Sequence, residues 1–407
     1  MSNRRIGVIS MHTSPLAQPG AGDGGGMNVY VRALASALAR AGVECDVYTR
    51  AEHAEQPAVV RVEPRFRVLH VAAGPCVPVP KHALGELVEP FVSATAELMA
   101  RRPPVDVLHA NYWLSGAVAH RLKHALDTPM VATFHTLARV KAEAGIDDDV
   151  SQRARSEQET IACADMMLAS TDDERAQLAS LYDADSERIE IVPPGVDHAV
   201  FAPGSRARAR RRLRIDAPRV LLFVGRIQPL KGADLALQCL AALDDPGACL
   251  LVVGGPSGTG GESEARRLRQ LASELALDGR VRFVAPQPHA ALADYYRAAD
   301  VCIVPSRTES FGLVALEAAA CGTPVVAAAV GGLRSLVDHG HTGFLVDSRD
   351  ADDYAAPVAA ILGDEQLAGE MGVSAAARSR RYSWSITAAR LRRLYADLVV
   401  RGLVRCD

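Results

Sequence analysis

FVGRIQPLKG, residues 223–232, and ESFGLVALEAAACGTPVVAA, residues 309–328, decide how the second half of this 407-residue chain is read. In the first stretch, the apolar run Val220–Val224 has the composition of a buried strand and stops at Gly225, which leaves Arg226 and Lys231 on the loop at the strand's carboxyl end. Two cations there can clasp a pyrophosphate; the plainer alternative is a pair of surface cations. In the second stretch, the run Val301–Val304 is followed by SRTESFG and a helical segment that opens near Leu313 and stops at Gly322, a residue suited to the left-handed position after a helix. The amides of Phe311, Gly312 and Leu313 then sit at the positive end of a helix, where phosphate oxygens bind. Glu309 and Glu317, eight residues apart, are placed to accept hydrogen bonds from a sugar hydroxyl and a ribose diol. One cap and one surface glutamate would be the bland version, and the neighbouring cations and glycines argue against it.

Outward from these motifs, short Val/Ile/Leu runs alternate with longer Ala/Leu/Arg segments of helical period, the pattern of βαβ units around parallel sheets. Strands are expected at 6–10, 45–49, 68–71, 105–110, 130–134, 167–170 and 189–192, and then at 220–224, 250–253, 281–283, 301–304, 324–328 and 343–345. A chain of 407 residues outgrows one core. The segment VPPGVDHAVFAPGS, 192–205, breaks all periodicity with three prolines and two glycines and marks a linker. The expected architecture is α/β: a doubly wound, Rossmann-like domain over 1–200, a second over 201–383, and a helix within 384–407 packing back on the first domain. Two such halves facing each other border a cleft with the carboxyl ends of their sheets, where ligands of open α/β sheets bind.

A net charge of −3 supplies no global field for nucleic acid or an anionic membrane, so neither is an expected partner. The one dense basic run, RARARRRLR at 206–214, reads as a solvated helix face rather than a phosphate arm. Eight cysteines lie scattered without a C-x-x-C pair and mostly among apolar neighbours, which reads as buried thiols in a reducing compartment and not as a disulfide frame or zinc site. The sequence MSNRRIGVIS enters a strand with no signal-like apolar stretch, and no segment is long enough to cross a bilayer, so a soluble cytoplasmic protein is expected. D-x-D patterns at Asp147–Asp149, Asp183–Asp185 and Asp350–Asp352 fall in turn-like or helix-connecting segments and read as surface, so catalysis is expected to require no metal.

In the first half, GDGGGMN follows the first strand after a long Pro/Gly excursion and opens a helix expected at 28–41, and its glycines let backbone approach a ligand. Gly20, Gly22 and Gly25 satisfy G-x-G-x-x-G, but about ten residues from the strand, and the second strand ends in Thr49-Arg50 rather than an acid. An NADP-dependent oxidoreductase using that loop and Arg50 is the rival from another class. His135 closes the run 130–134 at its carboxyl end, a position for a residue of the catalytic centre or for a core histidine satisfied by backbone.

GRIQPLKG together with E-S-F-G-L-V-A-L-E resembles the donor site of the family 4 retaining glycosyltransferases, which have the GT-B fold. The resemblance implies that Arg226 and Lys231 stabilise a leaving diphosphate, that Glu309 contacts the donor sugar and Glu317 the ribose, and that Gln18, Pro19, Gly26, Gln287, Ser310, Phe311, Gly312 and Leu313 line the donor. HTSPLAQPGAGDGGGMNVYV (12–31), AAGP (72–75), NYWLSG (111–116), FHTLARVK (134–141) and PPGVD (193–197) are similar to the branch of that family that glycosylates an inositol phosphate in mycothiol biosynthesis. This likeness implies a UDP-N-acetylglucosamine donor and an inositol phosphate acceptor. The acceptor is to be held by His12, Asp23, Gly25, Met27 and Asn28, with its phosphate on Lys81, Tyr112, Thr136 and Arg153; His135 joins Arg226, Lys231 and Glu309 at the reacting centre. It also allows an optional magnesium ion near Tyr296, Arg297, Ala299 and Thr323, and a homodimer. A lysine, two hydroxyls and an arginine drawn from four loops are sound chemistry for a phosphate dianion.

Overall fold

A computed structural model describes residues 4–20, 22–145, 150–258 and 260–406. The chain divides into two compact units, one made of the residues up to Ala17, Met27–Pro193 and those from Trp384 on, the other of Gln18–Gly26 and Pro194–Ser383. The glycine loop expected in the first domain thus packs with the second, and the second unit starts at Pro194 rather than at 201.

The first unit carries an eight-stranded sheet in the order β3-β4-β2-β1-β5-β6-β7-β8. Its strands are β1 Arg5–Ile9, β2 Glu44–Arg50, β3 Val59–Glu63, β4 Phe66–Val71, β5 Val107–Asn111, β6 Met130–Thr133, β7 Met166–Ala169 and β8 Ile189–Ile191. All pairs are parallel except β3 with β4. The parallel strands are buried on both faces, which is why they read as continuous apolar runs. β3, VVRVE, is a half-exposed antiparallel edge whose polar alternation hid it from the sequence reading. Strand order reverses at β1, which pairs with β2 on one side and β5 on the other, and the carboxyl ends of β1, β5 and β6 therefore flank the switch point where ligands bind.

The helix Trp384–Val400 belongs to this unit. Trp384, Ala388, Leu391, Tyr395 and Leu398 recur at helical spacing and join the core formed by Ile6, Val8, Cys45 and Val47. Thr387 Oγ1 donates to the Pro193 carbonyl at 2.8 Å, and the Tyr395 hydroxyl lies 2.7 Å from Nδ1 of the buried His109.

The second unit holds a six-stranded, all-parallel sheet in the order β11-β10-β9-β12-β13-β14. Its strands are β9 Arg219–Val224, β10 Ala248–Val253, β11 Val281–Val284, β12 Val301–Val304, β13 Val325–Ala328 and β14 Gly343–Val346. The switch point here lies between β9 and β12, the two strands that lead into the Arg226/Lys231 loop and the Glu309 loop.

The basic run forms the helix Arg206–Leu213, and Arg206, Arg210 and Arg212 are committed to ion pairs with Asp300 and Asp294. Asp185 and Asp350 cap local turns by accepting the amides of Glu187 and Asp352, and Asp183 takes the left-handed position that ends its helix. The Asp147–Asp149 pattern lies outside the described residues. Contrary to the expectation of isolated thiols, Cys163 and Cys406 form a disulfide across 243 residues of sequence. Among the described residues, no helix is long and apolar enough to cross a membrane.

Candidate active site

In the second unit, β9 delivers the chain to Arg226 and then to a single 3-10 turn, Pro229–Lys231, ended by Gly232 at φ +71°. A β-carbon on Gly232 would stand 2.3 Å from the Pro305 carbonyl oxygen, so only glycine lets this turn lie against the loop after β12. The amide of Arg307 donates to the Leu230 carbonyl at 2.9 Å, locking the two loops together. Across this contact Lys231 Nζ reaches Glu309 Oε2 at 2.6 Å, with Ser306 Oγ 3.3 Å from the same oxygen. Both side chains keep about a fifth of their surface, 22% and 20%, so the pair is desolvated enough to be held yet open to a ligand.

Two residues after Ser310, Gly312 at φ +103° turns the chain into the helix Leu313–Ala320. The first amides of an α-helix have no acceptor within it; Gly312 caps this helix, Leu313 opens it and Phe311 precedes the cap, so the three expected donor-binding residues lie at its amino end. The Glu309 carbonyl accepts the Gly332 amide at 2.9 Å and fixes this loop from behind. The segment Gln18–Gly26 is stitched onto the same edge: Gly255 donates to the Gly20 carbonyl at 3.1 Å, Ser257 Oγ to that of Gly22, and Gln18 Nε2 to that of Gln287. Pro19 runs within this segment, and a β-carbon on Gly25 would come within 3.1 Å of Arg226 Nε. Gly26 faces the Leu313 side chain. Asp23 and Gly25, expected beside the acceptor, therefore belong to the donor-side unit, with Asp23 exposed.

Glu317 is buried, and both its oxygens have protein partners: Tyr296 donates its hydroxyl at 2.8 Å and His289 Nε2 lies at 2.6 Å. Burial, and then the adjacent carboxylate, hold the Tyr296 phenol well above its ordinary pKa, so it stays a donor. A ribose diol at Glu317 has only the remaining lone pairs to use. The positions expected near magnesium do not fit a hard divalent cation. Thr323 Oγ1 donates to the Tyr296 carbonyl, Arg297 places a guanidinium on the carbonyls of Val200 and Ala202, and the set contains no carboxylate.

In the first unit the side chains gather around Tyr112, directly after β5, at φ +78°. Lys81 Nζ lies 4.4 Å and the Arg153 guanidinium 5.0 Å from its ring centre. Burial alone would raise the Tyr112 pKa, but Lys81 and Arg153 outweigh it and the value is lowered. Arg153 also donates to Thr136 Oγ1 at 2.9 Å and to the Thr136 carbonyl at 2.6 Å, while Nε is held at 2.7 Å by the buried Glu157. The four residues expected to hold a phosphate are thus brought together from the loops after β4, β5 and β6 and from the helix Val150–Cys163. His12 joins them through its ring, 4.5 Å from that of Tyr112. Asn28 Nδ2 donates to Thr13 Oγ1 at 2.7 Å and to the Ser14 carbonyl, fixing the loop after β1. Met27 packs against the apolar core, and the helix it enters begins at Gly26, two residues earlier than expected.

His135 follows β6 at φ +61°, a backbone conformation rare outside glycine and typical of functional sites. Its Nε2 lies 2.9 Å from Asn111 Oδ1, and burial, reinforced by His109, pulls its pKa down to about 3. It is a neutral imidazole at physiological pH.

Several contributors escaped the sequence reading. Lys141 is buried and adds its charge to Tyr112. Glu157 accepts from Arg153, the Ala138 amide and the Tyr182 hydroxyl. Ser257 gathers Arg226, Gln228 and the glycine segment. Arg50, the residue an NADP site would need, spends its guanidinium on the carbonyls of Ala51, Pro75 and Val77 inside the fold.

Residues 24–200 match the family described as Glycosyltransferase Family 4, and residues 205–378 the one described as Glycosyl transferases group 1. The D-inositol 3-phosphate glycosyltransferase of Geodermatophilus obscurus is 48% identical over 94% of this chain and 87% of its own length. This chain belongs to the D-inositol 3-phosphate glycosyltransferase family. The enzyme of that name from Acidothermus cellulolyticus is 45% identical over 97% of this chain and 90% of its own length. Sucrose-phosphate synthase from Thermosynechococcus elongatus superposes with a TM-score of 0.91 at 35% identity, covering 97% of this chain and 99% of the other. The fold is accordingly GT-B and the protein a hexosyltransferase, for which retention of configuration fits family 4.

Proposed function

We propose that the protein transfers N-acetylglucosamine from UDP-N-acetylglucosamine to 1D-myo-inositol 3-phosphate with retention of configuration. The observation that carries this reading is the convergence of Lys81 and of Arg153, with its partner Thr136, on Tyr112, a cationic and hydroxyl-rich cluster in which Glu157, the carboxylate that holds Arg153, is already paired. Such a set suits a phosphate monoester and has no use for a neutral polyol.

On the donor side, Arg226, Lys231 and the amides opening the helix Leu313–Ala320 are aimed where charge develops as the bond from the anomeric carbon to the diphosphate breaks. Glu309 holds Lys231 in place and offers its other oxygen to a sugar hydroxyl. The acceptor hydroxyl forms its new bond on the face the diphosphate leaves, and its proton passes to the departing phosphate, so no protein nucleophile is needed. The neutral His135 suits hydrogen bonding to the donor sugar better than acid–base work, because a pKa about 3 is far from operating pH. No step is assigned to a metal. A nucleotide-sugar donor and the buried thiols Cys45, Cys239, Cys302 and Cys321 support a cytoplasmic setting.

The direct test is UDP release from UDP-N-acetylglucosamine with 1D-myo-inositol 3-phosphate and, separately, with unphosphorylated inositol. Release that depends on the phosphate is expected; equal release with both acceptors would refute the acceptor assignment.

A further inference from the structure

One cluster in the first unit lies outside the residues assigned to the candidate active site. His120 and His124 are one turn apart on the same face of the helix Trp113–Leu126, Cys163 ends the helix Val150–Cys163, and Cys406 lies in the segment after the helix Trp384–Val400. Gly116 lets the first two helices close on each other, since a β-carbon there would meet Thr160 at 2.8 Å. His120 and His124 follow one and two turns beyond this contact, and Cys163 three residues beyond Thr160. Cys406 is brought in by an independent anchor: the Val404 amide donates to Asp165 Oδ1 at 2.7 Å, and Asp165 is itself held by Lys123 Nζ at 2.8 Å and the Met130 amide at 2.7 Å.

The ligand atoms of all four residues lie within 4.8 Å of one another. His124 Nε2 is 3.2 Å from Cys406 Sγ and 3.4 Å from Cys163 Sγ, and His120 Nε2 is 3.7 Å from Cys406 Sγ. In tetrahedral zinc coordination, Zn–N of ~2.0–2.1 Å and Zn–S of ~2.3 Å put nitrogen and sulfur about 3.6 Å apart. The three measured separations straddle that edge length. Cysteine and histidine in equal number are a soft-to-borderline donor set that favours zinc over magnesium or calcium.

We propose that, with Cys163 and Cys406 reduced, His120, His124, Cys163 and Cys406 bind one zinc ion as a closed structural site that clamps the segment after Trp384–Val400 to the first unit. The disulfide and the metal site are alternative states of the same pair of sulfurs. Passing from the first to the second takes two electrons and two protons, supplied by two small-molecule thiols that become a disulfide. The zinc ion then displaces both thiol protons, and the imidazoles bind as neutral ligands.

The test uses the full chain, reduced with dithiothreitol, desalted anaerobically into metal-free buffer and titrated with cobalt(II), then zinc(II). The expected result is thiolate-to-cobalt charge-transfer and tetrahedral ligand-field absorption that saturates at one cobalt per chain and is bleached by zinc. Cys406→Ser and His124→Ala should each weaken binding by more than the ~10–100-fold that loss of a supporting outer partner costs. Circular dichroism would confirm that both variants are folded, and the diamide-oxidised chain should bind none. Reduced wild type without the tetrahedral spectrum, or Cys406→Ser with wild-type affinity, would overturn the proposal and leave the pair as a disulfide only.

Discussion

The candidate anion sites of the two units are built in opposite ways. In the second, the site is built from backbone: a helix opening at Leu313, a glycine turn at Gly232 and two loops tied by the Arg307–Leu230 hydrogen bond, with Lys231 and Glu309 left partly open. In the first, it is built from buried side chains, where Lys141 and Arg153, the latter held by Glu157, act on Tyr112 and the imidazoles of His109 and His135 are both held at about 3 by burial. A backbone site depends on chain geometry and changes little with pH. A site of buried ionisable groups ties binding to stability, so the two halves should respond differently to substitution and to pH.

The largest effect belongs to the donor side. Lys231→Ala removes a cation from the developing charge and should lower kcat by ~10²–10³-fold while leaving the acceptor KM nearly unchanged, with Arg226→Ala in the same range. Steady-state UDP release measures both, and a change confined to the acceptor KM would break the division of labour.

Next comes a stability effect peculiar to the first unit. After β7, Thr171 Oγ1 accepts the Glu174 amide at 3.2 Å and Glu174 Oε2 accepts the Ser170 amide at 2.7 Å, a reciprocal cap whose carboxyl is fully buried. Burial raises Glu174 from 4.5 to about 7. With the folded value above the unfolded one, the stabilisation is present below pH about 4.5 and is lost as pH rises through about 7. Glu174→Gln stays neutral throughout, so it should match wild type near pH 4 and exceed it above pH 7 by on the order of 3 kcal/mol. Chemical denaturation across that range reads the difference, and parallel curves would show that Glu174 carries no such burden. A smaller effect is expected for Lys141→Met: an acceptor KM raised about tenfold, the scale of one charge-assisted hydrogen bond, with the donor KM unmoved.

The same contrast explains what the sequence could disclose. Gly225–Lys231 and Glu309–Gly322 are contiguous, and each motif carries its strand end, turn glycine and helix start within a dozen residues, so both fold and chemistry could be read locally. The acceptor cluster draws Lys81, Tyr112, Thr136 and Arg153 from distant segments, and only resemblance pointed to them; the supporting Glu157 and Lys141 became visible once packing placed them. β3 was missed because an exposed edge lacks the apolar run of a buried strand. The Cys163–Cys406 pair was missed because spacing over 243 residues says nothing about proximity. The glycine segment at 18–26 was assigned by order along the chain, whereas its carbonyls bond to Gly255 and Ser257.

The central claim is that the cluster around Tyr112 reads the acceptor's phosphate. Lys81→Met is the cleanest probe, since Lys81 is only half-buried, while removing Arg153 would strand the buried Glu157. We would measure kcat/KM of wild type and Lys81→Met for 1D-myo-inositol 3-phosphate and for unphosphorylated inositol. The prediction is that wild type strongly prefers the phosphorylated acceptor and that the variant loses at least about tenfold of that preference; a variant that keeps the full preference would contradict the account.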